Sequence, residues 1–153
     1  MMQETQKQQL PEENPQDTAV KNKVMQMLHE RGISPTQQRV NIGMVLFNKD
    51  QHLSADQVLD LVNTQSSIAS KATVYNTLGL FARKGLIREV IVDSTKVFYD
   101  SNIRPHHHFY NIDTGTLHDV DAAQLQITGL PTPPDAAVIK DVDVIIRIQQ
   151  KYT

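Results

Sequence analysis

The 153-residue chain contains no cysteine. That absence excludes disulfides, thiolate zinc sites, iron–sulfur clusters and a cysteine nucleophile, so any metal must sit on histidine and carboxylate. No apolar run approaches the ~20 residues needed to span a bilayer, and the polar, Gln-rich stretch from Met1 to Asp17 lacks the apolar core of a signal segment. A soluble, cytoplasmic protein is the expectation. The chain also holds no P-loop, no G-x-G-x-x-G, no G-x-S-x-G and no H-E-x-x-H. Phosphate transfer, dinucleotide binding and zincin hydrolysis therefore lack their parts, and an enzyme is not expected.

The length allows one domain or two small ones and excludes a large multidomain protein. The net charge of −2 conceals an uneven distribution. Residues 1–17 carry one Lys against four Asp or Glu, residues 18–99 ten Lys or Arg against six, and residues 100–153 four against seven. The middle is electropositive, which suits a nucleic-acid partner, since phosphate contacts need clustered cations more than a high overall pI.

Residues 1–16 show no apolar periodicity and read as a mobile polar tail. Four helical windows follow. Val20, Val24, Met27 and Leu28 mark the first, stopped at Arg31-Gly32, and Val40, Met44 and Phe47 mark the second. The third opens at Ser54 with Gln57 as capping partner and buries Ala55, Val58, Leu59 and Val62. The fourth opens near Ser70, buries Val74, Leu78 and Phe81, and ends at Lys84-Gly85. Strands over Leu86 to Val92 and Lys96 to Tyr99 complete winged-helix order.

Beyond Asp100 the pattern is β-rich. His107 to Ile112 and Thr116 to Val120 flank the turn Asp113-Thr114-Gly115. After the Pro-rich stretch Leu130 to Pro134, Val138 to Ile148 reads as a strand, with Val142, Val144, Ile146 and Ile148 opposite Asp141, Asp143, Ile145 and Arg147. Such a small antiparallel sheet is too meagre to stand alone, and dimerisation through it is the expected remedy.

On the fourth helix, the apolar face leaves Ser70, Lys71, Thr73, Asn76 and Thr77 on or near the opposite surface, with Arg39, Arg88 and Lys96 nearby. These residue types suit a DNA groove and its phosphates, and Arg88 and Lys96 lie on the expected wing. An ordinary solvated helix face would look the same by composition. A second cluster is the run His106-His107-His108, whose alternation in a strand puts His106 and His108 on one face and His107 on the other. Asp100 precedes it, Asp119 lies on the strand that the hairpin brings alongside, and His52 sits in the loop before the third helix. Two or three His with two carboxylates suit zinc, iron or manganese, whereas a solvated loop at a domain boundary is the plainer alternative.

Gly32-Ile-Ser-Pro-Thr36-Gln-Gln-Arg39, His52-Leu-Ser-Ala-Asp56, Ala72-Thr-Val-Tyr-Asn-Thr-Leu78 and Asp100 with His106-His-His108 together resemble the ferric uptake regulator superfamily, over about residues 18–150. Phe98-Tyr-Asp100-Ser-Asn102, His106-His-His108-Phe109 and Val142-Asp-Val-Ile-Ile-Arg147 are most similar to its haem-responsive iron response regulator branch. The resemblance implies an α+β protein: a winged-helix (helix-turn-helix) DNA-binding domain over 17–100, a hinge over 101–105 and a small α/β dimerisation and ligand-sensing domain over 106–153. It implies a homodimeric repressor, binding an inverted-repeat operator on double-stranded DNA under control of metal or haem. The regulatory metal ligands fall on His52, Asp100, His106, His108 and Asp119, and His106, His107 and His108 are the haem candidates. Tyr75 falls on the recognition-helix tyrosine and Arg39 on an arginine that approaches the DNA backbone. The expected DNA-contacting set is thus Arg39, Ser70, Lys71, Thr73, Tyr75, Asn76, Arg88 and Lys96.

The chain departs from the superfamily pattern in places. Asn111 and Thr114 stand where many members carry the cysteines of a structural zinc, so that site is not expected. The Cys-Pro haem motif is likewise absent, and Ser34 replaces a basic residue common before the second helix. A reading from another class is a metal- or haem-binding protein whose winged helix meets proteins and does not read DNA.

Overall fold

The computed structural model describes residues 12, 14–65 and 69–151. Most of the tail expected over residues 1–16 lies outside them. Pro15 and Gln16, expected in the tail, instead open α1 (Pro15–Glu30), because the Asn14 side chain accepts the Gln16 N–H at 3.0 Å and Pro15 supplies a helical φ where no N–H is needed. The helix ends at Gly32, whose φ of +66° turns the chain so that Ile33 N–H reaches the Leu28 carbonyl at 2.9 Å.

The next three helices are α2 (Gln37–Phe47), α3 (Ala55–Gln65) and α4 (Lys71–Arg83). Thr36 caps α2 and Ser70 caps α4 through side-chain oxygens that accept the N–H of Arg39 and Thr73. The expected box at α3 is complete: Ser54 N–H donates to Gln57 Oε1 at 2.9 Å and Gln57 N–H to Ser54 Oγ at 3.2 Å. Val24, Leu28, Ile42, Leu46, Val58, Val74, Leu78 and Phe81 interlock into one core. α1 and α2 cross closely at Gly43, where an added Cβ would lie 2.5 Å from Val24 Cγ1.

His52 lies not in a loop but in a short strand, β1 (His52–Leu53), which pairs antiparallel with β3 (Lys96–Asp100); β3 also pairs with β2 (Arg88–Asp93). One rung of this sheet therefore reads His52, Asp100, Arg88. The second sheet has β4 (His106–Asn111) at its centre, antiparallel to β5 (Thr116–Asp121) and flanked by β6 (Ile145–Ile148). β6 runs parallel to β4, against the expected all-antiparallel arrangement, because β5 ends at Asp121 beside the start of β4, and residues 122–144 carry the chain from that same end of the sheet to the other edge of β4. It is also shorter than the strand read from Val138 onward. Val144 N–H bonds to His107 Nδ1, and Asp143 is drawn off to Arg88.

Alternation in β6 also assigns its faces differently. Ile145 and Arg147 turn toward the wing: Ile145 packs on a second core of Val90, Val92, Phe98, Tyr110 and Leu117, while Arg147 donates to the Val92 carbonyl at 2.6 Å. Ile146 and Ile148 take the outer face. The second core is shared between the two sheets, so the wing is seated on the C-terminal sheet by buried apolar side chains. Among the described residues the C-terminal part has three strands and one 3-10 turn, Ala122–Gln124.

At Asn111 and Thr114, where the resemblance would put a cysteine pair, side-chain hydrogen bonds close the turn. Asn111 Oδ1 accepts the N–H of Asp113 at 3.0 Å and of Thr114 at 3.2 Å, and Gly115 N–H reaches the Asn111 carbonyl at 2.8 Å with φ +69°.

Candidate metal centre

Two registers place the donors. His52 stands opposite Asp100 in the wing sheet, and His108 stands opposite Asp119 in the C-terminal sheet. His106 shares a face of β4 with His108, as alternation requires. Where the sheets meet, one ligand atom from each of His52, Asp100, His106, His108 and Asp119 lies within 4.8 Å of all the others. Asp100 Oδ2 sits 2.8 Å from His106 Nε2, 3.1 Å from His108 Nε2 and 3.6 Å from His52 Nε2. Asp119 Oδ1 sits 2.6 Å from His52 Nε2 and 3.5 Å from both His106 Nε2 and His108 Nε2.

Burial grades across the cluster. Asp100 is 1% exposed and Asp119 48%, so the site is closed on the wing side and opens beside Asp119. Neighbouring groups orient the inner donors: His106 Nδ1 lies 2.6 Å from the Arg104 carbonyl, and Asp100 Oδ1 accepts the Asn102 N–H at 2.9 Å. A proton on Nδ1 donates to that carbonyl and turns the Nε2 lone pair toward the carboxylates. Burial alone would raise the Asp100 pKa, but hydrogen bonds from His108, Asn102 and His106 and the charge of His52 outweigh it and hold it below the ordinary value. Burial would lower His106, and the Arg104 carbonyl with Asp100 and Asp119 raises it instead.

Three imidazole nitrogens facing two carboxylate oxygens need a cation between them, either protons or a metal ion. At metal–donor distances of ~2.0–2.1 Å, neighbouring ligand atoms lie about 3.0–3.4 Å apart. The separations observed between His and Asp atoms, from 2.6 to 3.6 Å, bracket that spacing. The nitrogen and oxygen donors suit zinc, iron or manganese. The residues present fit such an ion.

His107 is not part of this cluster. It lies on the opposite face, 8% exposed rather than free at the surface, and its Nδ1 accepts the Val144 N–H at 3.1 Å. The three haem candidates therefore do not form one open patch, since His106 and His108 point Nε2 at Asp100. The carbonyl of Arg104 and the N–H groups of Asn102 and Val144 had no residue-type signal. Only the spacing Asp100-x-Asn102, which invites a side-chain-closed turn, hinted at one of them.

The DNA-side residues are distributed unevenly. Lys71, Tyr75 and Asn76 are exposed on α4, with Lys71 Nζ 5.7 Å from the Tyr75 ring centroid and 3.7 Å from Asp56 Oδ1. Thr73 is half-buried and Thr77 is buried, so Thr77 leaves the outer face where the sequence reading had it. Ser70 spends its hydroxyl on the cap and on Thr73 Oγ1 at 2.9 Å. Arg39 donates to the Ser34 carbonyl at 2.9 Å. The two wing cations are engaged rather than free: Arg88 pairs with Asp143, and Lys96 Nζ lies 3.3 Å from Tyr110 Oη. Arg88 turns to the segment just before β6 and Lys96 to β4, where those acceptors lie.

No helix among the described residues is long and apolar enough to cross a membrane. In sequence, the chain is 38% identical over 85 residues to a ferric uptake regulation protein of Synechococcus elongatus, covering 53% of this chain and 58% of that protein. It is 29% identical over 98 residues to a peroxide-responsive repressor of Staphylococcus aureus, covering 64% and 66%. The match thus spans less than two thirds of either relative. In structure, it is similar to the ferric uptake regulator of Francisella tularensis with iron, at a TM-score of 0.63 and 29% identity over 78% of this chain and 93% of that one. The profile of the Ferric uptake regulator family matches residues 30–130, which include α2 to α4, the β2–β3 wing, His52, Asp100 and the β4–β5 hairpin, and the chain belongs to that family.

Proposed function

We propose that the chain is a homodimeric, metal-responsive transcriptional regulator, not an enzyme, that acts in the cytoplasm and binds an inverted-repeat operator through α4. The observation that carries this reading is the five-donor cluster: it takes His52 and Asp100 from the winged-helix part and His106, His108 and Asp119 from the C-terminal part. An ion held there supplies two positive charges between the two sheets. These residues would then fix the angle of the winged helix against the sheet, and operator affinity would change by as much as affinity differs between the two arrangements, typically ~1–3 kcal/mol.

Several further features support it. Lys71, Tyr75 and Asn76 project from α4 after the helices of a helix-turn-helix, with Arg39 alongside. The outer sheet face presents half-buried Phe109 and Ile146 and exposed Ile148, and a second copy would cover them further. The domains are proposed as 17–100 for DNA binding, 101–105 as hinge and 106–153 for dimerisation and sensing.

The finer reading places the chain in the iron response branch, on the residues Phe98 to Asn102 and Val142 to Arg147. Haem sensing would go with that branch and would have to draw on His106, His107 or His108. The test is binding of a palindromic duplex by the purified protein, metal-free, with manganese, iron or zinc, and with haem. Metal should change operator affinity in the wild type and leave His52→Ala and Asp119→Ala unaffected. Salt-dependent binding without operator preference would favour the alternative of a winged helix that does not read sequence. A Soret band shifted by His107→Ala would favour haem.

A further inference from the structure

We propose that Arg88, Asp143 and His107 are positioning residues that latch segment 140–144 between the donor-bearing strand β4 and the wing, so that the wing is held at the metal-ligand rung from both ends. Arg88 is then a transmitter of the ligand state and not a phosphate contact. This rests on the reading of the chain as a ligand-responsive DNA-binding protein.

The latch is built on consecutive residues of β4. His108, whose ring belongs to the donor cluster, also donates its backbone N–H to the Val144 carbonyl at 3.2 Å. His107, on the other face, accepts the Val144 N–H on Nδ1 at 3.1 Å and is 8% exposed. Both backbone polar groups of Val144 are thus tied to the last two members of the histidine run. One residue earlier, Asp143 pairs with the guanidinium of Arg88.

Arg88 stands where such a connection matters. It is the register partner of Asp100, which is also the partner of His52. The rung His52, Asp100, Arg88 is therefore gripped by the donor cluster on the β1 side and by Asp143 on the β2 side. The other wing contacts, Arg147 to the Val92 carbonyl and Lys96 to Tyr110, lie toward the hairpin tip. Beside the latch lies a cavity of about 440 Å³ lined in part by Arg88, Ile103, His107 and Asp143. That cavity leaves the segment room to shift. An Arg already neutralised by Asp143 releases few counterions from DNA, which separates this role from phosphate contact.

The test uses the full chain in four forms: wild type, Arg88→Asp, Asp143→Arg and the double exchange. Operator affinity is measured against salt, with and without manganese. Each single variant should lose about two- to fivefold of the manganese-induced gain, the range of an exposed ion pair, and the exchange should restore it. His107→Asn, which keeps an acceptor near the Nδ1 position, should retain the gain, and His107→Leu should lose it. Arg88→Gln should leave the slope of log affinity against log salt unchanged. A slope reduced by ~0.9 would mark a phosphate contact and overturn the proposal, as would failure of the exchange to restore the gain. Where iron or zinc and not manganese changes operator affinity, that ion replaces manganese in the comparison; if none of the three does so in the wild type, the functional reading fails on its own. The latch is then read without DNA, as zinc affinity by chelator competition: recovery in the exchange supports it, and equal affinity in all four proteins overturns it.

Discussion

Replacing Asp100 by Asn keeps the shape of the side chain and removes its charge, which makes it a direct probe of the cluster. Asp100 is 1% exposed and accepts from His106 at 2.8 Å, His108 at 3.1 Å and the Asn102 N–H at 2.9 Å. An amide at this position still serves Asn102. What is lost is the charge-assisted bond to protonated His106, worth about 1.5–3 kcal/mol. The pH window follows from the two shifts. His106 is raised above 6.5, so its contribution is full below that value and is lost as pH rises through the folded pKa. Asp100 is lowered below 3.8, so its contribution is present above that value and is lost as pH falls through the folded pKa. Urea unfolding of wild type and Asp100→Asn, with chelator and at equal protein concentration, should therefore differ by about 2 kcal/mol near pH 5.5 and by under about 1 kcal/mol near pH 9. Zinc affinity should show the opposite trend, rising with pH because ion and proton compete for Nε2, and should drop sharply in the variant. A stability difference that does not change with pH would refute the charge pairing. Undiminished zinc affinity in Asp100→Asn would refute its place among the donors.

On the DNA side, Lys71→Ala should lower the salt slope of operator binding by ~0.9 across all sequences, whereas Tyr75→Ala or Asn76→Ala should cost roughly 1–3 kcal/mol of discrimination between operator and random duplex. Unchanged affinity in all three would remove α4 from the interface. Ile146→Asp, on the outer face of β6, should give monomers by sedimentation while the metal-free winged helix keeps its circular dichroism, and a fully dimeric variant would place the interface elsewhere. Gly43→Ala would put a methyl 2.5 Å from Val24 Cγ1 at the α1–α2 crossing. Thermal unfolding should show a loss of about 1–3 kcal/mol, relieved by adding Val24→Ala.

Much of the winged helix was legible because its signals are local. Ser54 and Ser70 act on N–H groups three residues away, and the apolar spacing of Val74, Leu78 and Phe81 is a property of one helix; Asn14, assigned to the tail, and Thr36 cap in the same local way without having been read as caps. The alternation of His106, His107 and His108 likewise sorted donors from non-donor before any fold was known. Tertiary structure decided what those signals could not reach. His52 meets Asp119 across 67 residues only because β1 pairs with β3 and the two sheets abut. The direction of β6 depends on which edge of β4 it joins after β5 has returned the chain to the start of β4, and no local pattern encodes that choice of edge. Arg88 and Lys96 look like free wing cations in sequence, yet Arg88 pairs with Asp143, just before β6, and Lys96 meets Tyr110 on β4, contacts between residues 55 and 14 positions apart that no local pattern shows. Residue chemistry set which groups were available; the packing of one sheet on the other set which of them meet.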